Sequence, residues 1–312
     1  MLTLVGCVCW ACSSSERPAQ APVSSSSTST GTANAAANTL ATFPAIGPLS
    51  FALVPGSCSG SSCAPVVQLR RDDTVLDSAP LDFAASPAEW RQTTADALLG
   101  AGDPLDPATP PAWTAGDGDT KVTTTARSVK LSATEPGLLV DQAGGFEHVK
   151  RRHYLFAAAD DKLKRVWTGE EGAGPAWSAT VLVDAPSGNA QHIVYITGFQ
   201  PGGDQPDTVA ATRYTWNAAQ RKLVEAPPGP LFAVVVGNFA NLDDARAART
   251  QPCLSNYSAV RGADLAVKGS RFLLAAITTR KALADAARTR RDNCPTGMTQ
   301  QALDVTLPAR SQ

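Results

Sequence analysis

Three times between residues 150 and 226, two short apolar runs flank a polar turn, a pattern that antiparallel hairpins satisfy and long helices do not. Tyr154-Leu155-Phe156 and residues 163–167 flank Asp160-Asp161. Residues 179–183 and 192–196 flank Pro186-Ser187-Gly188-Asn189, and residues 212–216 and 222–224 flank Asn217-Ala218-Ala219-Gln220. An earlier pair, residues 65–69 and 74–76, flanks Arg71-Asp72-Asp73. The 24 glycines and 23 prolines, with charged residues at only 18%, support the same strand-and-turn reading. The first and third units share an aromatic–x–aromatic run, a polar turn and then Lys-Leu, but two copies do not establish a propeller or solenoid. Residues 40–226 are therefore expected to form an antiparallel β-rich domain, a sandwich or open barrel, with a partial propeller as the alternative. Ser86-Pro87-Ala88-Glu89 has the signature of a helix start, predicting a helix through Trp90 to about Leu99 and then loop to residue 119.

With 312 residues and 43% apolar side chains, the chain has material for about two domains. Its 27 Lys plus Arg balance 28 Asp plus Glu, which argues against a nucleic-acid partner held by a basic surface. No stretch approaches the roughly 20 apolar residues of a spanning helix.

Residues 2–11 form a short apolar run that ends at Cys12, ahead of a Ser-rich polar stretch. A small residue before a cysteine behind an apolar segment resembles the lipobox of bacterial lipoproteins. Trp10-Ala11-Cys12 precedes the polar stretch directly, Leu4-Val5-Gly6-Cys7 is the competing site, and a basic leading segment is missing. The resemblance implies a lipid on Cys12, or alternatively Cys7. It further implies a place in the bacterial cell envelope, facing the periplasm or exterior and tied to the membrane. Residues 13–39 are mostly Ser, Thr, Ala, Pro and Gly with almost no large apolar group, and are expected to be a flexible tether. Of seven cysteines, cleavage before Cys12 leaves one for lipid and four for two disulfides, as suits an oxidising compartment. Cys58 and Cys63 enclose a turn-forming stretch and are expected to pair, leaving Cys253 with Cys294. A zinc site from the same four lacks the second close pair it needs.

Pro227-Pro228-Gly229-Pro230 marks a boundary, and residues 231–239 behind it read as a central strand. Asn241 is placed to cap the next helix, Asp243 and Asp244 fill its first turn, and Leu242, Ala245 and Ala248 line one face. The pattern then returns, with residues 271–277 as a strand and Thr279 as the cap of a helix to about Arg291. That helix carries the stripe Ala282, Leu283, Ala286 and Ala287. Residues 257–260, 265–267 and 302–307 are further strand candidates. This gives a strand–helix–strand–strand–helix–strand unit over residues 229–308, with thin helices on one side of a four-stranded sheet.

Phe232-Ala233-Val234-Val235-Val236-Gly237-Asn238-Phe239, followed by Asp244-Ala245, resembles the SPOR domain. The pattern is repeated more loosely from Arg271-Phe272 to Ile277 and then Ala282. The resemblance covers about a quarter of the chain. It implies a ferredoxin-like α+β fold and binding to peptidoglycan glycan strands stripped of peptide, with Phe232, Val235, Phe239 and Arg271 as the candidate contacts. Val235 stands where the family has Gln, and Ala275 where it has a second Gly. The strand is also apolar on both alternations, Phe232, Val234 and Val236 on one side and Ala233 and Val235 on the other. Strands of that kind have both faces covered. The alternative is thus that the sheet face docks on the middle domain or on another envelope protein.

Catalytic signals are sparse. Glu147, His148 and His153 offer a carboxylate and two imidazoles, but a spacing of five separates the two rings on a strand or on a helix, so no metal is expected there. Asp117-Gly118-Asp119 lacks the later ligands of a calcium loop, and Ser57, Ser59, Ser61 and Ser62 lie in turn chemistry without a nucleophile elbow. Lys150-Arg151-Arg152 is a basic spot for an anionic polymer or the solvated start of a strand. Trp167, Trp177 and Trp216 offer faces for sugar rings, although hairpin aromatics usually belong to the core. The expectation is a non-enzymatic envelope lipoprotein without cofactor, whose SPOR-like module touches peptidoglycan. The alternative is an interaction scaffold that binds no glycan, and a hydrolase using Glu147, His148 and His153 is a third reading.

Overall fold

Each hairpin read from the sequence is part of a larger antiparallel meander. The computed structural model describes residues 39–56, 58–59, 62–85, 90–94, 111–116, 121–144, 150–170, 177–184, 191–200, 203–227, 229–251, 254, 257–269, 271–289 and 300–307, all within one compact unit. The first sheet has the order β1 (Ala41–Pro44), β2 (Leu49–Val54), β5 (Val66–Arg71), β6 (Thr74–Pro80). Between β2 and β5 stands the small hairpin β3 (Cys58–Ser59) and β4 (Ser62–Cys63). The second sheet is a continuous meander of β7 (Arg91–Thr94), β8 (Pro111–Ala115), β9 (Val122–Lys130), β10 (Pro136–Gly144), β11 (Lys150–Ala159) and β12 (Lys162–Glu170). The third is β13 (Trp177–Asp184), β14 (His192–Phe199), β15 (Thr208–Asn217) and β16 (Lys222–Ala226).

Local turn chemistry fixes these registers. Asp160 and Asp161, between β11 and β12, both have positive φ, 52° and 58°. Two left-handed residues make the hairpin turn whose twist matches that of the strands, and Asp tolerates the conformation. Asp72 (φ 52°) and Arg221 (φ 48°) serve the β5–β6 and β15–β16 turns.

The last segment runs β17 (Leu231–Phe239), α1 (Leu242–Arg249), β18 (Ser258–Arg261), β19 (Phe272–Thr278), α2 (Lys281–Thr289), β20 (Gln300–Val305). Its four antiparallel strands take the order β18-β19-β17-β20. Asn241 caps α1 as its position suggested: its side-chain oxygen accepts from the Asp244 N–H at 2.8 Å, and its amide donates back to the Asp244 carboxylate at 2.8 Å.

The period of two in the strands sorts side chains into layers. On β10 and β11, Leu138, Val140, Tyr154 and Phe156 pack against Phe51, Leu53, Val67 and Leu69 of the first sheet. Their alternates, Leu139, Leu155 and Ala157, pack against Val181, Ile193 and Tyr195 of the third. The opposite face of the third sheet, Leu182, Val194 and Ile196, meets Leu231, Ala233, Val235, Leu273, Ala275 and Ile277 of the fourth. The far face of the fourth, Val234, Val236, Leu274 and Ala276, is covered by Leu242, Ala245 and Ala284 of the helices. Four sheets are therefore stacked face to face and closed by a helical layer. Residues 40–226 are antiparallel and β-rich as expected, but their described residues form three stacked sheets rather than the two of a simple sandwich, because the inner strands are apolar on both faces. Residues 227–230 connect two layers that share one apolar core.

Four local expectations fail. Arg91–Thr94 pairs as a strand with Pro111–Ala115 instead of continuing a helix from Trp90. Sheet pairing and the β-preference of Thr outweigh the helix-start signal there, while residues 86–89 and 95–99 lie outside the described residues. Pro111–Ala115 is accordingly strand, not loop. Residues 265–267 are not strand: a 3₁₀ turn spans Gly262–Leu265 and ends at Ala266 with φ 57°. Thr279 does not cap α2. Its hydroxyl is buried with no hydrogen bond among the described residues, and the Arg280 N–H donates to Thr278 Oγ1 instead. Cys58 and Cys63 are disulfide-bonded, directly opposite each other in β3 and β4. Cys7, Cys12, Cys253 and Cys294 lie outside the described residues.

Candidate functional site

The residues proposed to contact glycan do not gather on one surface. Val235 is 3% exposed and sits in the core between the third and fourth sheets. Phe232 and Phe239 belong to the opposite face and pack with the helical layer. Arg271 lies at the exposed rim, where its guanidinium donates to the Ala240 carbonyl at 3.4 Å. Gly237, in the irregular stretch of β17, has φ 71°, and a Cβ there would stand 2.6 Å from the Phe239 ring. The backbone bends at this glycine and the ring folds over it. The open sheet face that a glycan would need is occupied by Leu182, Val194 and Ile196.

A second candidate lies between the second and third sheets. Asp141 on β10 stands directly opposite Thr125 on β9 and His153 on β11. His153 Nδ1 is 2.8 Å from Asp141 Oδ1, and the two side chains are 0% and 1% exposed. A carboxylate only accepts, so Nδ1 carries the proton in this contact. Thr125 Oγ1 donates to Asp141 Oδ2 at 3.3 Å. Arg127 places Nη2 3.9 Å from the same oxygen and donates to the Val181 carbonyl of the third sheet at 2.6 Å. The Tyr195 ring meets His153 edge-on at 5.8 Å between centroids and Trp167 at 5.5 Å. Gly169 lies opposite His153, and a Cβ there would come within 2.5 Å of the Trp167 ring. Glycine therefore lets the indole lie across the strand.

This arrangement orients a buried imidazole. Nε2 of His153 has no hydrogen-bond partner among the described residues, and the ring is sealed from water. The pair acts as a polar tie inside the stack, with Arg127 extending it to the third sheet. Glu147 and His148 lie outside the described residues. Asp141 and Thr125 escaped the sequence reading. The available signal was Asp141-Gln142 interrupting an otherwise apolar run at residues 138–143, where buried polar groups need partners.

Several of the other singled-out residues pack against or pair with neighbouring side chains. Arg152 pairs with Asp82 and lies over the Phe83 ring, while Lys150 is exposed. Arg165 lies 4.8 Å from the centroid of the Tyr154 ring and also reaches Asp82 at 3.5 Å. Burial first, and the Asp82 charge second, push the Tyr154 hydroxyl above the ordinary tyrosine range. Trp167 and Trp216 pack in the core between the second and third sheets, and Trp216 Nε1 donates to Glu135 Oε2 at 2.8 Å. The side chain of Trp177, residues 117–119, Ser57 and Ser61, and the side chains of Ser59 and Ser62 are outside the described set. No family model, no curated protein and no solved structure matches this chain.

Proposed function

We propose that this chain is a non-enzymatic scaffold of the bacterial envelope, in which the SPOR-like unit serves as a packing layer rather than a glycan receptor. The strand–helix–strand–strand–helix–strand order and the sheet order β18-β19-β17-β20 support a ferredoxin-like reading of residues 229–308. The observation that carries the proposal is the burial of Val235, 3% exposed, against Leu182, Val194 and Ile196. Its sheet face holds a neighbouring sheet where a SPOR domain would hold glycan. The Cys58–Cys63 disulfide supports an oxidising compartment. The lipobox-like cysteines, Cys12 or alternatively Cys7, and the polar stretch behind them support attachment to a membrane.

Sedimentation of the full chain with purified sacculi, before and after amidase treatment, tests the proposal. The protein is expected to remain in the supernatant in both cases. Retention that increases when amidase strips the peptides would overturn it and restore the glycan reading.

A further inference from the structure

Where the chain crosses from the third sheet to the fourth, three polar side chains meet on the face of the third sheet that looks toward the fourth. Asp184 on β13 stands directly opposite His192 on β14, and Arg213 on β15 stands opposite Val194. The period of two puts His192 in line with Val194 and Asp184 in line with Leu182, both members of the core shared by the two sheets. Arg213 Nη1 donates twice, to Asp184 Oδ2 at 2.7 Å and to His192 Nδ1 at 3.2 Å, and Nη2 reaches the Pro230 carbonyl at 3.5 Å. The side chains of Arg213 and Asp184 are 7% and 14% exposed, while His192 is half-buried. A Cβ on Gly229 would fall 2.2 Å from Arg213 Cζ, so the guanidinium lies against the backbone of the connection itself.

A guanidinium only donates, so His192 Nδ1 accepts and carries no proton in this contact. An imidazolium has no acceptor left. When the ring takes a proton from solvent at Nδ1, the bond from Arg213 is lost and two cations face each other. The side chain directly across the strand pair is the Asp184 carboxylate, and such cross-strand neighbours have Cβ atoms about 5 Å apart. Among the described residues, the charged groups that face the ring are Asp184 from β13 and Arg213 from β15. The fourth sheet brings apolar Leu231 and Val305 to the adjoining core.

We propose that this cluster is a proton-operated clamp on the connection between the two sheets. With the ring neutral, His192 and Asp184 together hold Arg213 over Gly229. With the ring protonated, His192 takes Asp184 as its partner, and Arg213 keeps only the Pro230 carbonyl. The exchange of partners takes up one proton from water and breaks no covalent bond.

The test uses the full chain and two double-mutant cycles in urea denaturation, His192→Leu with Arg213→Leu and His192→Leu with Asp184→Asn. Each is run at about pH 8 and about pH 5, the limits between which imidazole side chains change charge. At the upper pH the expected coupling between positions 192 and 213 is favourable, about 3- to 10-fold in the unfolding constant. At the lower pH it is expected to vanish or reverse, while the coupling between 192 and 184 grows by a similar factor. His192→Gln, whose amide oxygen accepts at either pH, should stay coupled to Arg213 at both. Couplings that stay level across the two pH values would overturn the proposal, as would a Gln coupling that falls as the His coupling does. If Arg213→Leu does not fold, the cycle between 192 and 184 decides alone, and no growth toward the lower pH overturns the proposal.

Discussion

His153 and Asp141 face each other across β10 and β11 at 2.8 Å, and neither reaches solvent. A buried pair of this kind is costly to break and cheap to replace as a unit. Asp141→Leu is expected to lower unfolding stability by about 3–5 kcal/mol, since it strands the imidazole donor. Asp141→Leu combined with His153→Leu should lose much less than the two single changes added together. Urea denaturation of the four proteins measures the coupling, and additive losses would show that the contact contributes nothing.

Val235→Gln introduces the residue that the SPOR pattern has at this position and places an amide between two apolar sheets. The change should cost about 3 kcal/mol, from lost apolar burial and an unsatisfied amide. It should confer no affinity for sacculi. A cost near zero would mean that the side chain faces solvent.

Asp77 connects the first and second sheets. The N–H groups of Leu163 and Ser78 both donate to its carboxylate at 2.9 Å. These donors, led by Leu163 and aided more weakly by the Lys162 charge, hold its carboxyl below the ordinary value of 3.8 against the smaller opposing effect of burial. A carboxyl lowered on folding stabilises the protein fully above its unfolded value and loses that contribution as pH falls through the folded value. Wild type should therefore exceed Asp77→Asn in stability near pH 5, with the gap closing as the pH falls below 3.8. Denaturation across that window checks the slope, and a constant gap would contradict it.

Reduction of Cys58–Cys63, or Cys58→Ser, opens a short closed loop. The chain-entropy estimate gives a loss of about 2 kcal/mol. Thermal denaturation with and without a reductant should show a larger shift in wild type than in Cys58→Ser, the difference being the contribution of this bridge.

The sequence disclosed the hairpins because their turns are local: Asp160-Asp161 and Asp72 carry their own conformational preference, whatever lies above or below them. It also disclosed, through residues 231–239, that both faces of β17 are covered. The helices over one face were legible as well, and the middle domain was one of two candidates for the other; which of its strands lie there was not, since Leu182 and Val194 lie far upstream and look like any alternating strand. β9 and β10 went unread for a different reason. Thr123, Thr124 and Thr125, with Asp141 and Gln142, give the segment a polar look, although Thr124, Thr125, Asp141 and Gln142 are buried. The His153–Asp141 contact depends on a register twelve residues apart, set by strand pairing that no spacing rule reveals. Trp90 misled in the opposite direction: a sound helix-start signal preceded a segment that the sheet claimed.

Every sheet in the stack is made from one unbroken stretch of chain: 41–80, 91–170, 177–226, then 231–305. No layer waits for a distant segment before its hydrogen bonds close. A chain emerging from a ribosome or a translocation channel can therefore lay down its sheets one after another, amino terminus first. Until the next layer arrives, each unfinished intermediate shows one greasy face to its surroundings. The two carboxy-terminal helices are the lid that ends this exposure.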